Sequence, residues 1–190
     1  MKNKLSKMLY SIVWPVYDIF FGADTPFVRN MRKRLIEKLE LKKGARVADI
    51  AIGTGANVPF IHEKIGPEGQ VFGIDISKEM LNKCRKNLEK WKIKADLTLG
   101  NAEELPYKDS SFDAVLCFGI FNHVDNPDRL LKEIMRVAKP GAKIVIGDEI
   151  FPFLVKMPKL PETAKNVRKS RDSGILTFWI VEFNKDKNRK

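Results

Sequence analysis

The sequence predicts an α/β domain: a mostly parallel seven-stranded sheet with helices on both faces, ending in an antiparallel hairpin. Three observations predict it. Residues 47–52 form a short apolar run of strand type, and Gly53 and Gly55 allow a tight turn into the helical repeat at 58–65. Strand and helix patterns then alternate as far as residue 150, as parallel strands joined by right-handed crossovers require. Beyond that, 166–172 and 175–183, separated by Ser173-Gly174, read as a β-hairpin.

Each element has its own signal. Residues 4–21 are aromatic-rich and irregular. Thr25-Pro26 starts a helix with Phe27, Met31, Leu35, Ile36 and Leu39 on one stripe and Arg29, Arg32, Lys33 and Lys38 on the other. Lys42-Lys43-Gly44 ends it and leads into strand one. Pro59 suits the first turn of the next helix, where its missing N–H has no intrahelical partner to lose. Gly66-Pro67-Glu68-Gly69 is a turn, and 71–75 is strand two, ending on Asp75. Ser77 caps a helix with Met80 and Leu81 at its start and Trp91 near its end. Residues 96–99 are strand three and 100–106 a loop. The unbroken apolar run 112–118 is typical of a strand buried on both faces. Asn126-Pro127 introduces a helix with Leu130, Leu131, Ile134, Met135 and Val137 inward. Lys139-Pro140-Gly141 stops it, and 143–150 is strand five. Pro152, Pro158 and Pro161 limit the short connector 151–165 to no more than a short helix.

At 190 residues the chain is expected to fold as one domain. Residues 1–43 would be a helical lid, 44–150 the core, and 151–190 the connector and hairpin. Two cysteines, Cys84 and Cys117, lie far apart, which argues against a disulfide framework or metal site and fits a reducing cytoplasm. The apolar run 9–21 contains Pro15 and Asp18 and is too short to span a bilayer, and no signal peptide is evident. The net charge is +11. Residues 1–44 and 156–190 each hold ten Lys/Arg against four Asp/Glu, while the middle is close to neutral. The basic ends read either as peripheral contact with an anionic membrane or as solvated helix faces and a frayed tail. No aromatic–basic interleaving points to nucleic acid.

A strand, a glycine turn and a helix N-terminus make a backbone surface that a ligand can approach closely. The dinucleotide fingerprint wants a third glycine where Val58 stands. An acid inside the strand, Asp49, suits a ligand carrying an ammonium and a sulfonium better than a pyrophosphate. Asp75, at a strand's carboxyl end, can accept both hydroxyls of a ribose.

The turn at Asp49 to Gly55 resembles motif I of the class I S-adenosylmethionine (SAM) methyltransferases. Over roughly residues 10–150 the chain resembles their ubiquinone/menaquinone-biosynthesis C-methyltransferase branch. Tyr17-Asp18, residues 73–81, Asn101 to Pro106, Ser111-Phe112-Asp113, residues 118–122 and Arg136 to Gly141 carry that resemblance. It implies a Rossmann-like fold with SAM as cofactor and a small hydrophobic or aromatic acceptor. The implied cofactor site runs from Asp49, Ala51, Gly53, Thr54, Gly55 and Asn57 to Asp75, Ile76 and Met80, then Asn101, Ala102, Phe118 and Gly119. Asp49 would orient the methionine ammonium or organise the glycine loop, Ile76 and Met80 would sandwich adenine, and Asn101 and Ala102 would bond it. His123, Asn122 and Tyr17 are the candidate acid–base groups, and no metal is implied.

The chain also departs from that branch. Phe121 stands where its members usually carry an arginine, and the common glycine or cysteine before Gly53 is missing. The Gly-Thr-Gly-x-Asn form of the turn also occurs among phospholipid and amine N-methyltransferases, which keeps N-methylation open. The short connector leaves the acceptor pocket open, or closed by the aromatic N-terminal segment (Tyr10, Trp14, Tyr17, Phe20, Phe21) or by a second chain of a homodimer. A SAM-binding protein without turnover is a further alternative, and a nicotinamide dehydrogenase a poor last one.

Overall fold

A computed structural model of the chain describes residues 26–121, 123–150, 164–173 and 177–186. The expectations for the aromatic N-terminal segment, for Asn122 and for the connector up to residue 163 lie outside these.

Elements run in the order α1 (Pro26–Glu37), β1 (Arg46–Ile50), α2 (Val58–Ile65), β2 (Gln70–Asp75), α3 (Lys78–Trp91), β3 (Asp96–Leu99), β4 (Phe112–Phe118), α4 (Pro127–Val137), β5 (Ala138–Ile150), β6 (Ala164–Ser173) and β7 (Thr177–Lys185). One seven-stranded sheet has the order β3-β2-β1-β4-β5-β7-β6. Pairs from β3 to β5 are parallel, and β7 is antiparallel to both β5 and β6. The parallel sheet closed by a hairpin is therefore as expected. Chain direction across the sheet reverses between β1 and β4, and in open α/β sheets that switch point opens a crevice at the strands' carboxyl ends.

The sheet is buried from both sides. α1, α2 and α3 cover one face through Leu35, Ile36, Leu39, Val58, Ile61, Ile65, Leu81, Cys84 and Leu88, which pack on Val47, Leu116 and Val145. α4 covers the other with Leu130, Leu131, Ile134, Met135 and Val137 against Ala48, Val115, Ile144 and Ile146. Each of those five α4 side chains contributes about 1.5–3 kcal/mol on burial. Helix starts follow the sequence. Ser77 Oγ accepts the Met80 N–H (3.2 Å) and Asn126 Oδ1 the Arg129 N–H (3.0 Å).

Two expectations need correction. Strand five begins at Ala138, directly after α4, instead of at residue 143. Its register against β4 jumps from Phe112↔Ala138 to Ala114↔Lys143. Pro140 and Gly141 thus lie in an irregular stretch of strand, where a residue without an N–H breaks no ladder bond. Arg32, assigned to the polar face of α1, is only 8% exposed. Its neighbours at i+3 and i+4 are Leu35 and Ile36, so the guanidinium lies inside the apolar stripe and needs partners there.

Candidate functional site

The crevice at the switch point is a cleft of about 700 Å³, counting the space open to solvent at its mouth. Four strand ends and the loops after them form its walls. β1 supplies Ala51 and Gly53, and β2 supplies Ile74, Asp75 and Ile76, with Met80 from α3. The loop after β3 supplies Gly100, Asn101 and Ala102, and the end of β4 supplies Phe118, Gly119, Ile120, His123 and Val124. Ten of the expected site residues thus meet around one space, although they are spread over 73 positions from Ala51 to His123.

Both glycines of the turn have positive φ, and they differ in what surrounds them. Gly53 has φ +57°, and a Cβ there would meet nothing within 4 Å. Its backbone faces the open cleft, where a ligand can come close. Gly55 has φ +83° and points away from the cleft, where a Cβ would lie 2.6 Å from Cys84 Sγ. Ala51 also has positive φ, +61°, without being glycine. Asn87 of α3 fastens the turn from behind, donating from Nδ2 to the Thr54 carbonyl at 2.9 Å.

Asp75 ties the glycine turn to β2. Its Oδ2 accepts the Gly53 N–H and its Oδ1 the Ser77 N–H, both at 2.9 Å. A carboxylate has about four lone-pair sites, so acceptor capacity remains on the cleft side. Burial raises its pKa, against backbone N–H groups of Ser77, Gly53 and Ile76 that lower it. Asn101 turns its Oδ1 back to the Glu103 N–H at 3.0 Å. Glu103 in turn accepts the backbone N–H groups of Asp125 (2.6 Å) and Asn126 (3.1 Å). That carboxylate joins the loop after β3 to the loop holding His123, and so fixes two walls of the cleft relative to each other.

Asp49, Thr54, Gly55 and Asn57 do not line the cleft but are buried beneath the turn. Asp49 is 1% exposed. The Asn57 amide nitrogen lies 3.2 Å from Asp49 Oδ2 and 3.4 Å from Oδ1, and Arg32 Nη1 donates to Asn57 Oδ1 at 2.7 Å. Burial pushes the Asp49 pKa up to about 7, the Asn57 hydrogen bond and Arg32 lower it, and Asp75 raises it. Phe121 is 6% exposed and packs in the core under α4. Tyr17 and Asn122 lie outside the described residues. Cys84 and Cys117 are buried and outside any disulfide, and no described helix is long and apolar enough to cross a membrane.

Sequence reasoning missed Arg32, Asn87 and Glu103. Arg32 left a signal, its place between Met31 and Leu35 on the apolar stripe. Asn87 and Glu103 left none, because their roles depend on loops brought together only by the fold.

The cleft suits a nucleoside-bearing cation. An uncovered backbone at Gly53, a carboxylate at Asp75, and the apolar Ile76, Met80 and Ala102 lie in succession, with no Lys or Arg among the described lining residues. Residues 48–146 match the family model described as methyltransferase domain. Over 142 residues the chain is 36% identical to a demethylmenaquinone methyltransferase of Lactobacillus johnsonii, covering 73% of this chain and 58% of that one. A SAM-dependent methyltransferase from Aquifex aeolicus superimposes with a TM-score of 0.65 at 24% identity, covering 80% of this chain and 88% of that one. Phosphoethanolamine N-methyltransferase 2 of Haemonchus contortus, solved with S-adenosyl-L-methionine, superimposes at 0.73 with 17% identity, covering 90% and 56%. These structural likenesses show a shared fold. The chain spans little more than half the length of the Lactobacillus relative.

Proposed function

The chain belongs to the methyltransferase-domain family through residues 48–146, and we propose that it transfers the methyl group of SAM to a small hydrophobic or aromatic acceptor. Quinone-precursor-like C-methylation is the favoured chemistry. One observation carries the reading: the Gly53 turn and the Asp75 carboxylate, from adjacent strands, converge on a single cleft whose far end is apolar.

In this reading Asp75 accepts the ribose hydroxyls with its remaining lone pairs. Ile76 and Met80 flank the adenine, and the Asn101 side chain and Ala102 N–H bond its edge. Gly53 and Gly119 leave room for the methionine part. Bound there, SAM supplies an activated methyl on a sulfonium leaving group. The chain's own residues then contribute proximity, in-line orientation and exclusion of water. Methylation at a phenol ring carbon also requires loss of a proton from the acceptor. His123 is the titratable group at the Phe118–Val124 end of the described lining and is proposed to take that proton at an imidazole nitrogen. Tyr17 and Asn122 remain proposed partners in this step. Ile120 and Val124 make the surroundings apolar, which favours an uncharged acceptor. The menaquinone-type relative supports carbon as the methylated atom.

N-methylation of a phospholipid or amine is the second reading. The fold shared with a phosphoethanolamine N-methyltransferase over 90% of the chain favours it, and peripheral contact of the basic ends with an anionic membrane would accompany it. Calorimetric titration of S-adenosylhomocysteine is expected to show one site that Asp75→Ala abolishes. Unchanged affinity in that variant would refute the site. Methyl transfer to a panel of quinols, phenols, amines and phosphoethanolamine separates the two acceptors, and binding with no transfer to any of them would leave a binding protein.

A further inference from the structure

Arg32 is far from the cleft in sequence and contributes nothing to its lining, yet it is buried against the underside of the glycine turn. We infer that Arg32 is a positioning residue: its guanidinium orients the Asn57 amide, and through that amide it fixes the direction and charge of the Asp49 carboxylate beneath the turn. The consequence for ligand binding rests on the cofactor reading above, whereas the positioning itself does not.

Donor chemistry fixes the order of the three groups. An arginine can only donate, so Asn57 must turn its oxygen to Arg32, at 2.7 Å. An ionised carboxylate can only accept, so the amide NH₂ is left facing Asp49, at 3.2 and 3.4 Å. Each contact thus enforces the other. Protonation would turn one of the two Asp49 oxygens beside that NH₂ into a donor and weaken its acceptor capacity, so the arrangement favours the ionised acid. Asn57 supplies an independent observation. It occupies the N-cap position of α2, where asparagine normally bonds a first-turn N–H, but its side chain makes no cap bond. The side chain is committed to bridging α1 and β1 instead.

Burial makes the bridge consequential. Arg32, Asn57 and Asp49 are 8%, 5% and 1% exposed, so water does little to screen the cation from the acid. The charged and titratable groups facing Asp49 among the described residues are Arg32 from α1, Asp75 from β2 and the Cys117 thiol from β4. Asp148 of β5 acts on that same thiol. Arg32 is the cation of this set, and it works against the burial that raises the acid. Among the described residues an amide, and not a direct salt bridge, stands between the cation and the Asp49 carboxylate. α1 is thereby coupled to the cleft without touching a ligand.

The experiment follows the Asp49 carboxyl carbon by ¹³C NMR from pH 5 to 9 in carboxyl-labelled protein, with the signal assigned by its loss in Asp49→Asn. The wild type is expected to titrate near neutrality. Arg32→Met removes the lowering influence and should raise the midpoint by about one pH unit, whereas Arg32→Lys should restore it. If Arg32→Met does not fold, Arg32→Gln serves, keeping a donor without the charge, and its midpoint should also rise. S-adenosylhomocysteine affinity measured over the same range should shift its pH dependence in the same direction. A midpoint that stays put in the neutral variants, or a lysine variant that titrates like them, overturns the inference. A moved midpoint in a protein that binds no S-adenosylhomocysteine at any pH upholds the positioning role and refutes the cofactor reading.

Discussion

Replacing Gly55 by alanine should harm stability, whereas the same change at Gly53 should harm binding. At Gly55 two costs coincide. Its φ of +83° lies in the left-handed region, where an L side chain costs roughly 1–2 kcal/mol. The new Cβ would also fall 2.6 Å from Cys84 Sγ, inside a close-packed cluster, and such overpacking costs about 1–3 kcal/mol. Gly55→Ala is therefore expected to lose about 2–5 kcal/mol. Gly53→Ala meets open space and carries only the backbone cost, roughly 1–2 kcal/mol, but its methyl group enters the cleft. Urea unfolding with an unchanged m-value gives both stabilities, and calorimetry gives S-adenosylhomocysteine affinity. The steric part has its own check. In Gly55→Ala/Cys84→Ala the sulfur is gone, so a double-mutant cycle should return a favourable coupling of about 1–3 kcal/mol. A cycle without coupling, or equal destabilisation at the two glycines, would refute the reasoning.

Two further outcomes follow from the same turn. Ala51 holds φ +61°, so Ala51→Gly trades relief of left-handed strain against a more flexible unfolded chain, worth about 0.4–1 kcal/mol. The net expectation is a rise in Tm of about 2–3 °C by thermal unfolding, and a clear fall would contradict the strain. Asp49 is an acid whose folded pKa, about 7, lies above its unfolded value. Between about pH 4 and 7 the folded state therefore holds the extra proton, and its stability declines as pH rises, by up to about 4 kcal/mol from three pKa units. Asp49→Asn should remove that decline and be the more stable protein at pH 8. Parallel pH–stability curves for the two proteins would count against the shifted acid.

The apolar pattern carried the architecture because burial and periodicity are local properties of a sequence. The bounds of α2, β3 and β4 fall where the residues put them, and Ser77 and Asn126 cap the helices they were expected to cap. What could not be read was contact across sequence distance. Arg32 reads as one more cation on the polar face of a basic helix until α1 is docked, and nothing local in the 100–106 loop marks Glu103 as the acceptor for the N–H groups of Asp125 and Asn126. The start of β5 was misplaced because Pro140-Gly141 stops a helix and also permits an irregular strand, and local chemistry does not choose between these. For Asp49 the residues left two roles open, holding a ligand's ammonium or organising the glycine turn. Its burial beneath the turn, bonded to Asn57, supports the second.

Asp49, buried, and Asp75, half-buried, are two acids on adjacent strand ends, and each is a burden to the fold. Burial raises both, and Asp75 raises Asp49 further. Backbone N–H groups of Gly53 and Ser77 relieve one acid, and an amide backed by a guanidinium relieves the other. Apolar residues of similar size would serve stability better, so the pair is best understood through what it favours above it. An anionic ligand such as a pyrophosphate would add like charge next to two carboxylates, with no Lys or Arg among the described lining residues to compensate. A ligand bearing positive charge would do the reverse: it would draw both pKa values down and recover part of the cost of keeping the acids ionised. The acids of β1 and β2 thus favour a cationic nucleoside over a dinucleotide on electrostatic grounds, separately from the missing third glycine.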